Sequence, residues 1–149
     1  MIQAMTKLAG FDIVVSSEGD AQNCARAAGR AMGSAIDSAL CDRSGIKRYG
    51  FAVLPMDEAS STVALDLSGR PYFVIKGRFN GSRIGDTDVE SLIAFLEELT
   101  IGARMTLNVR FDGENDHHQA ESIFKALGLS FRAAVLTGGQ GILSTKGLI

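Results

Sequence analysis

The sequence has little histidine: two residues, His117 and His118, in a chain of 149. Cysteine and proline are equally scarce, with two of each. Each shortage excludes something. Two histidines do not complete a transition-metal centre, which wants about four to six ligands, so any such centre must draw donors from elsewhere. Cys24 and Cys41 fall in and just after an alanine-rich stretch, and they read as two ordinary reduced thiols rather than a disulfide framework. Two prolines set against 46% apolar residues and 17 glycines describe a folded chain.

Long apolar runs are also missing. None approaches the roughly 18 residues that a membrane-spanning helix needs, and no charged segment leads into an apolar run and a small-residue cleavage site. A formal charge of -2 and a pI near 5.6 provide no global attraction to nucleic acid or to an anionic membrane. The expectation is a cytoplasmic protein with no nucleic-acid and no membrane partner, which leaves specific small-molecule contacts open. The length suits one well-filled domain, or two small half-domains sharing a core.

What is present is patterned. A short N-terminal apolar segment precedes a β-like stretch, Phe11 to Ser17. Asp20 is placed to cap a helix in which Cys24, Ala25, Ala28, Ala31, Met32, Ala35, Ile36, Ala39 and Leu40 recur at helical spacing. Gly29 and Gly33 within that apolar face point to close packing. Three β-rich stretches follow, "YGFAVLPMD", "STVALDLSG" and "PYFVIKGR", and they read as a meander. Thr87 and Glu90 have the spacing of a capping box, ahead of a helix with Val89, Leu92, Ile93, Leu96 and Leu99 on one face. A strand from Met105 to Phe111 then leads through "GEND" to a third helix, His117 to Val135. This order predicts an α+β fold with helices on a mostly antiparallel sheet. A weak repeat runs through it: strand, Gly19-Asp20, helix, and later strand, Gly113-Glu114, helix.

The chemistry gathers in the second of those units. On a helix His117 and Glu121 stand four apart and His118 and Glu121 three apart, so each imidazole shares a surface with the carboxylate while adjacent rings diverge by about 100°. A solvated or capping cluster explains a lone His-His-x-x-Glu as well as a metal site does. Glu114 is placed to hold a ring tautomer or accept a hydrogen bond from a ligand. Asp57 and Glu58 follow an apolar strand, where a turn is as good an explanation as a catalytic role.

Taken together, "GIKRYG", "PMDEA", "DLSGRPYF", "TLNVRFDGENDHHQAESIFKA" and "STKG" occur in the order and at nearly the spacings of imidazoleglycerol-phosphate dehydratase, and the chain resembles that family over its whole length. The resemblance implies two similar half-domains, subunits assembled into a large homo-oligomer, and two manganese ions at sites shared between subunits. It implies a lyase of histidine biosynthesis that removes water from a phosphorylated imidazole. It makes His117, His118 and Glu121 metal ligands, with Glu121 also in the acid/base role. It makes Arg48, Arg70, Ser144 and Lys146 phosphate-binding residues, a set whose guanidinium, hydroxyl and ammonium groups suit a phosphate.

The departures from the family pattern weigh as much as the matches. The chain starts at a methionine that in the family follows a β-rich segment and a histidine ligand. Equal spacing after Gly19-Asp20 places Arg26, Ala27 and Arg30 at the family's first His-His-x-x-Glu, and another histidine aligns near Ile101. Guanidinium has no ligand lone pair and stays charged, so it opposes a divalent cation. Arg26 and Arg30 are instead candidates for an altered anion site, or for pairing with carboxylates across an interface. The expectation is a single domain, 1–149, with a truncated first half (1–80) and a second half (81–149) keeping the histidine motif. It is a degenerate relative that binds a phosphorylated imidazole-like molecule, carries fewer manganese ions than the family norm or none, and has absent or altered activity. The competing expectation is an active manganese enzyme completed by a full-length homologous subunit.

Overall fold

The computed structural model describes residues 1–138 and 141–144. Its elements are α1 (Ile2–Ala9), α2 (Ala21–Leu40), β1 (Tyr49–Met56), β2 (Ala59–Asp66), β3 (Tyr72–Lys76), β4 (Arg83–Ile84), β5 (Thr87–Asp88), α3 (Val89–Gly102), β6 (Thr106–Asp112) and α4 (Asp116–Ala134). The fold is α+β, as the patterning predicts.

Strict alternation builds the central hairpin. Ala59, Ser61, Val63 and Leu65 of β2 point inward and are buried, and β1 pairs with β2 antiparallel from Tyr49↔Asp66 to Met56↔Ala59. A two-residue turn joins them, with Asp57 at φ 50°, the left-handed conformation that tight hairpins require. The sheet order is β1-β2-β6-β3, in which β6 is antiparallel to β2 and parallel to β3. The expected meander is therefore not formed. β3 reaches β6 through a crossover containing α3, and such a connection returns the chain parallel to its start. A boundary at residue 80 would also cut this sheet, since β1 to β3 share it with β6.

Two further expectations change. Residues 11 to 17 form no strand, because they enter no ladder with any described strand. Phe11 and Ile13 pack against the core, with the Phe11 ring 5.6 Å from that of Phe131, but Val14 is 99% exposed. Thr87 does not cap α3 either. It pairs with Ile84 in a short ribbon, and Asp88 occupies the cap position without a side-chain cap bond. Asp20 does cap α2, accepting from the Asn23 N–H at 3.0 Å.

Glycines set how closely the helices pack. α2 packs along α3, and α4 lies between α1 and the β1–β2 hairpin. A Cβ on Gly33 would meet the Leu99 carbonyl and the Ala103 nitrogen of the α3 end, and one on Gly128 would meet the Met5 carbonyl of α1. The pairing of α2 with α3 thus mirrors that of α4 with α1. The cap residues Asp20 and Asn115 and the contact glycines Gly33 and Gly128 are each 95 residues apart, which fixes the register of the repeat.

That register exposes an asymmetry. Ser122, Ala126, Ser130 and Ala134 form a small-residue ridge on α4, each 0% exposed, beneath the hairpin, where Ser61 bonds Ser122 and the Ser130 hydroxyl donates to the Val63 carbonyl at 3.1 Å. The same positions on α2 are Ala27, Ala31, Ala35 and Ala39, and all four are exposed. Ala126→Glu should therefore destabilise the chain by about 4 kcal/mol or more, by burying an unpaired charge, while Ala31→Glu stays within about 0.5 kcal/mol. Urea unfolding midpoints check this, and equal costs at the two positions would mean that the α2 ridge is covered in solution.

Candidate functional site

Backbone capping brings the histidine motif into position. The Asn115 side chain accepts from the His117 N–H at 2.9 Å and the His118 N–H at 3.3 Å, so both histidines stand in the first turn of α4. From one side, the Asp116 carboxylate accepts the backbone N–H groups of Asn80 at 2.8 Å and Gly81 at 2.7 Å. From the other side comes the hairpin tip. Glu58 Oε1 accepts from the Asn115 N–H at 2.7 Å and the Glu114 N–H at 3.2 Å, while Oε2 lies 2.8 Å from His118 Nδ1. Asp57 Oδ2 is 3.5 Å from His118 Nε2.

Glu58 is the residue that sequence reasoning left undecided. Its signal was present in "PMDEA", two carboxylates in a two-residue turn, but only the hairpin register aims that turn at the start of α4. Glu114, the expected ring-holding group, contributes its backbone here: its N–H to Glu58 and its carbonyl to Asn80 Nδ2 at 2.9 Å.

His117 is turned the other way. Its side chain is 60% exposed, with Nε2 3.2 Å from Glu121 Oε2, and Lys125 Nζ sits 2.8 Å from Glu121 Oε1. The two imidazole rings are 6.4 Å apart and tilted by 71°. Glu121 is held ionised: the Lys125 ammonium, first by its hydrogen bond and then by its charge, lowers the carboxyl pKa, and His117 adds to the effect. At neutral pH it is a proton acceptor. His118, Glu121 and His117 thus face two small polar clusters, as the diverging rings on a helix predict.

Manganese takes imidazole nitrogen and carboxylate oxygen, so the donor types are right. The number is not. Among the described residues no three His, Cys, Asp or Glu side chains converge to hold a metal, and these residues do not by themselves fit the ion.

The arginines fare differently from one another. Arg48, at φ 68°, is buried, with Nε 2.6 Å and Nη2 3.0 Å from the two oxygens of Asp66 and Nη1 on the Leu143 carbonyl. This links it to the segment carrying Ser144, whose N–H donates to the Ile142 carbonyl at 2.8 Å. Arg70 is exposed. Lys146 lies outside the described residues. Arg26 and Arg30 converge on one carboxylate of α3: Arg30 Nη2 is 2.6 Å and Arg26 Nη1 3.6 Å from Glu98. Counted by the 95-residue register, Gln22, Asn23 and Arg26 stand where α4 has His117, His118 and Glu121, so Arg30 falls one turn beyond the motif.

The clusters occupy opposite ends of the sheet. Arg48 precedes β1 and bonds Asp66 at the end of β2, while Glu58 is in the turn at the other end of both strands. Eight residues at about 3.4 Å each put roughly 27 Å between them, and the 19-residue α4, at about 1.5 Å per residue, gives the same separation.

The His118–Glu58 pair has a definite pH signature. Hydrogen bonding to His118, then to the Asn115 N–H, draws the Glu58 carboxyl down to about 2, and Glu58 raises His118. The raised histidine contributes stability below its ordinary value and loses it as pH rises through the folded value; the depressed carboxyl contributes above its ordinary value and loses it as pH falls towards about 2. The pair is therefore strongest between the ordinary carboxyl and imidazole values, roughly pH 4.3 to 6.5. An NMR titration of the His118 ring should give a midpoint above that of an unpaired imidazole, and Glu58→Gln should return it towards that value.

Comparison with known proteins agrees with this architecture. The family model of imidazoleglycerol-phosphate dehydratase matches residues 1–131. The chain is 41% identical over its full length to the imidazoleglycerol-phosphate dehydratase of Methanosphaerula palustris, covering 80% of it. It is 40% identical to the histidine biosynthesis bifunctional protein HisB of Stenotrophomonas maltophilia, covering 43% of that longer protein. Among solved structures, the imidazoleglycerol-phosphate dehydratase of Pyrococcus furiosus in complex with (S)-C348 superposes with a TM-score of 0.89 at 30% identity, over 99% of this chain and 82% of that one. The Staphylococcus aureus enzyme gives 0.87 at 28% identity, over 91% and 80%. With a matched family model over most of its length and full-length relatives at this identity, the chain belongs to the imidazoleglycerol-phosphate dehydratase family.

Proposed function

We propose that this chain is a motif-degenerate member of its family that binds a phosphorylated imidazole-like small molecule at a site completed by a neighbouring subunit, with lyase activity absent or altered. The observation that carries the reading is the separation of its two half-sites. The imidazole–carboxylate cluster and the Arg48–Ser144 region lie roughly 27 Å apart along β1, a distance no small phosphorylated imidazole spans. A second copy that brings its arginine end to the first copy's α4 N-terminus supplies both contacts, and this makes the ligand-binding form a homo-oligomer.

Within such a site each group has a defined task. His118 offers a ring nitrogen to the ligand, and ionised Glu121 accepts a proton. Arg70, exposed and without a carboxylate partner among the described residues, takes a phosphate through paired N–H donors. Arg48, already committed to Asp66, places the Ser144 segment.

The loss of activity follows from α2. Arg26 replaces a carboxylate at the repeat position of Glu121, and both α2 imidazoles are amides. A guanidinium there provides no donor lone pair and repels a cation, so manganese is bound in fewer copies than the family norm or not at all. The second reading is an active manganese-dependent hydro-lyase of histidine biosynthesis, completed by a full-length homologous subunit. The family resemblance of the segment from Glu114 to Glu121 and 41% identity to a named dehydratase favour it.

A manganese-supplemented product assay beside a ligand titration separates the two. The isolated chain should turn over imidazoleglycerol phosphate at least about a thousandfold more slowly than a complete relative, a barrier higher by roughly 4 kcal/mol, yet still bind it. Arg70→Ala should weaken that binding about tenfold or more. Near-normal turnover by the chain alone refutes the proposal, and activity only when a full-length homologue is added transfers the assignment to the second reading.

A further inference from the structure

The carboxylate at the hairpin tip has three partners and two oxygens, and this division of labour has a chemical consequence at His118. Glu58 Oε1 is occupied by the backbone N–H groups of Asn115 and Glu114, at 2.7 and 3.2 Å. Glu58 Oε2 is left for the imidazole, 2.8 Å from Nδ1. An ionised carboxylate has no proton to give, so the proton in this bond belongs to Nδ1. In the neutral ring Nε2 then carries the lone pair. Asp57 Oδ2, 3.5 Å away, is beyond ordinary hydrogen-bond length and a carboxylate oxygen accepts rather than donates, so Asp57 does not use that lone pair.

We propose that Glu58 is the positioning residue for His118: it fixes the Nδ1–H tautomer and turns Nε2 outward as the acceptor that meets the ligand. The inference rests on the ligand-binding reading above. It also explains why a single carboxylate should bind the ring and the loop before α4 at once. The backbone contacts anchor Glu58, and the anchored Glu58 orients the ring, so the turn between β1 and β2 sets the chemistry at the start of α4. The local backbone is built for this contact. A Cβ on Gly113 would meet Ala59, the residue after Glu58, so the loop approaches the hairpin tip closely only because residue 113 has no side chain.

Glu58→Gln tests the tautomer with little change of shape. The amide has one acceptor and one donor end. If its oxygen stays with the two backbone N–H groups, its NH2 faces Nδ1, which must become the acceptor, and the ring proton moves to Nε2. Nitrogen-15 NMR of the histidine side chains, above the ring's raised pKa, reads this directly, because protonated and bare ring nitrogens resonate far apart. The expected result is a protonated Nδ1 in the native chain, a protonated Nε2 in Glu58→Gln, and a mixture of tautomers in Glu58→Ala. Asp57→Asn should leave Nδ1 protonated. A native ring protonated on Nε2, or a tautomer unchanged in both Glu58 variants, overturns the proposal.

Titration with imidazoleglycerol phosphate separates this inference from the reading beneath it. Inversion of the tautomer with at least about a tenfold loss of affinity in Glu58→Gln supports both. Inversion with no binding by the native chain sinks the ligand-binding reading alone, and binding that is equal in the native chain and Glu58→Gln denies Glu58 its role towards the ligand.

Discussion

Helix α4 is held by backbone contact on two sides, and the rest of the structure depends on that confinement. A Cβ on Gly50 of β1 would meet the Ser130 carbonyl, and one on Gly128 of α4 would meet the Met5 carbonyl of α1. With so little space the helix cannot slide or roll without collision, because packed interiors yield little. Its two ends are tied as well, by Glu58 at the Asn115 N–H and by the Arg48 N–H on the Ala134 carbonyl at 2.9 Å. His117 and His118 therefore inherit their positions from contacts along the whole helix.

The 95-residue repeat shows how the two halves have diverged. α2 keeps the cap, the contact glycine and the small-residue ridge of α4, so it keeps the means of packing. Its first turn carries Gln22, Asn23 and Arg26 where α4 has His117, His118 and Glu121. The charge of Arg26 and Arg30 is met by Glu98, mostly within water's reach, and exposed pairs of this kind contribute little to stability. Packing residues and ligand residues occupy different faces of the same helix, which is why one set can change while the other stays.

Much of the fold was legible in the sequence because its signals are local. The period of α2, the Asp20 cap and the alternation in β2 each depend on residues within one or two turns of each other. The order of strands was not legible, since nothing within "PYFVIKGR" states that β6 will separate it from β2; that follows from the crossover through α3. The Phe11–Ser17 stretch failed for a related reason, because β propensity describes a half-buried pleated surface and these residues have no neighbouring strand to provide one. At the site, the spacing of His117, His118 and Glu121 foretold the divergence of the rings. Glu58 could not be ranked above an ordinary turn residue, for its partner lies 60 positions away.

The geometry also keeps the two polar clusters at opposite ends of the chain. Orientation of His118 and ionisation of Glu121 are complete within one chain, since every group responsible lies on the hairpin tip or on α4. The other end is equally local, where Arg48 bonds the Leu143 carbonyl beside Ser144 and Arg70 is exposed. Neither cluster is directed along the β-sheet towards the other, and the hydrophobic core between them, from Leu65 and Leu107 through Phe124 and Leu127, is closed. Communication within the chain would have to pass through α4 itself. A fold this tightly confined around α4 holds the clusters at its two ends as fixed surfaces.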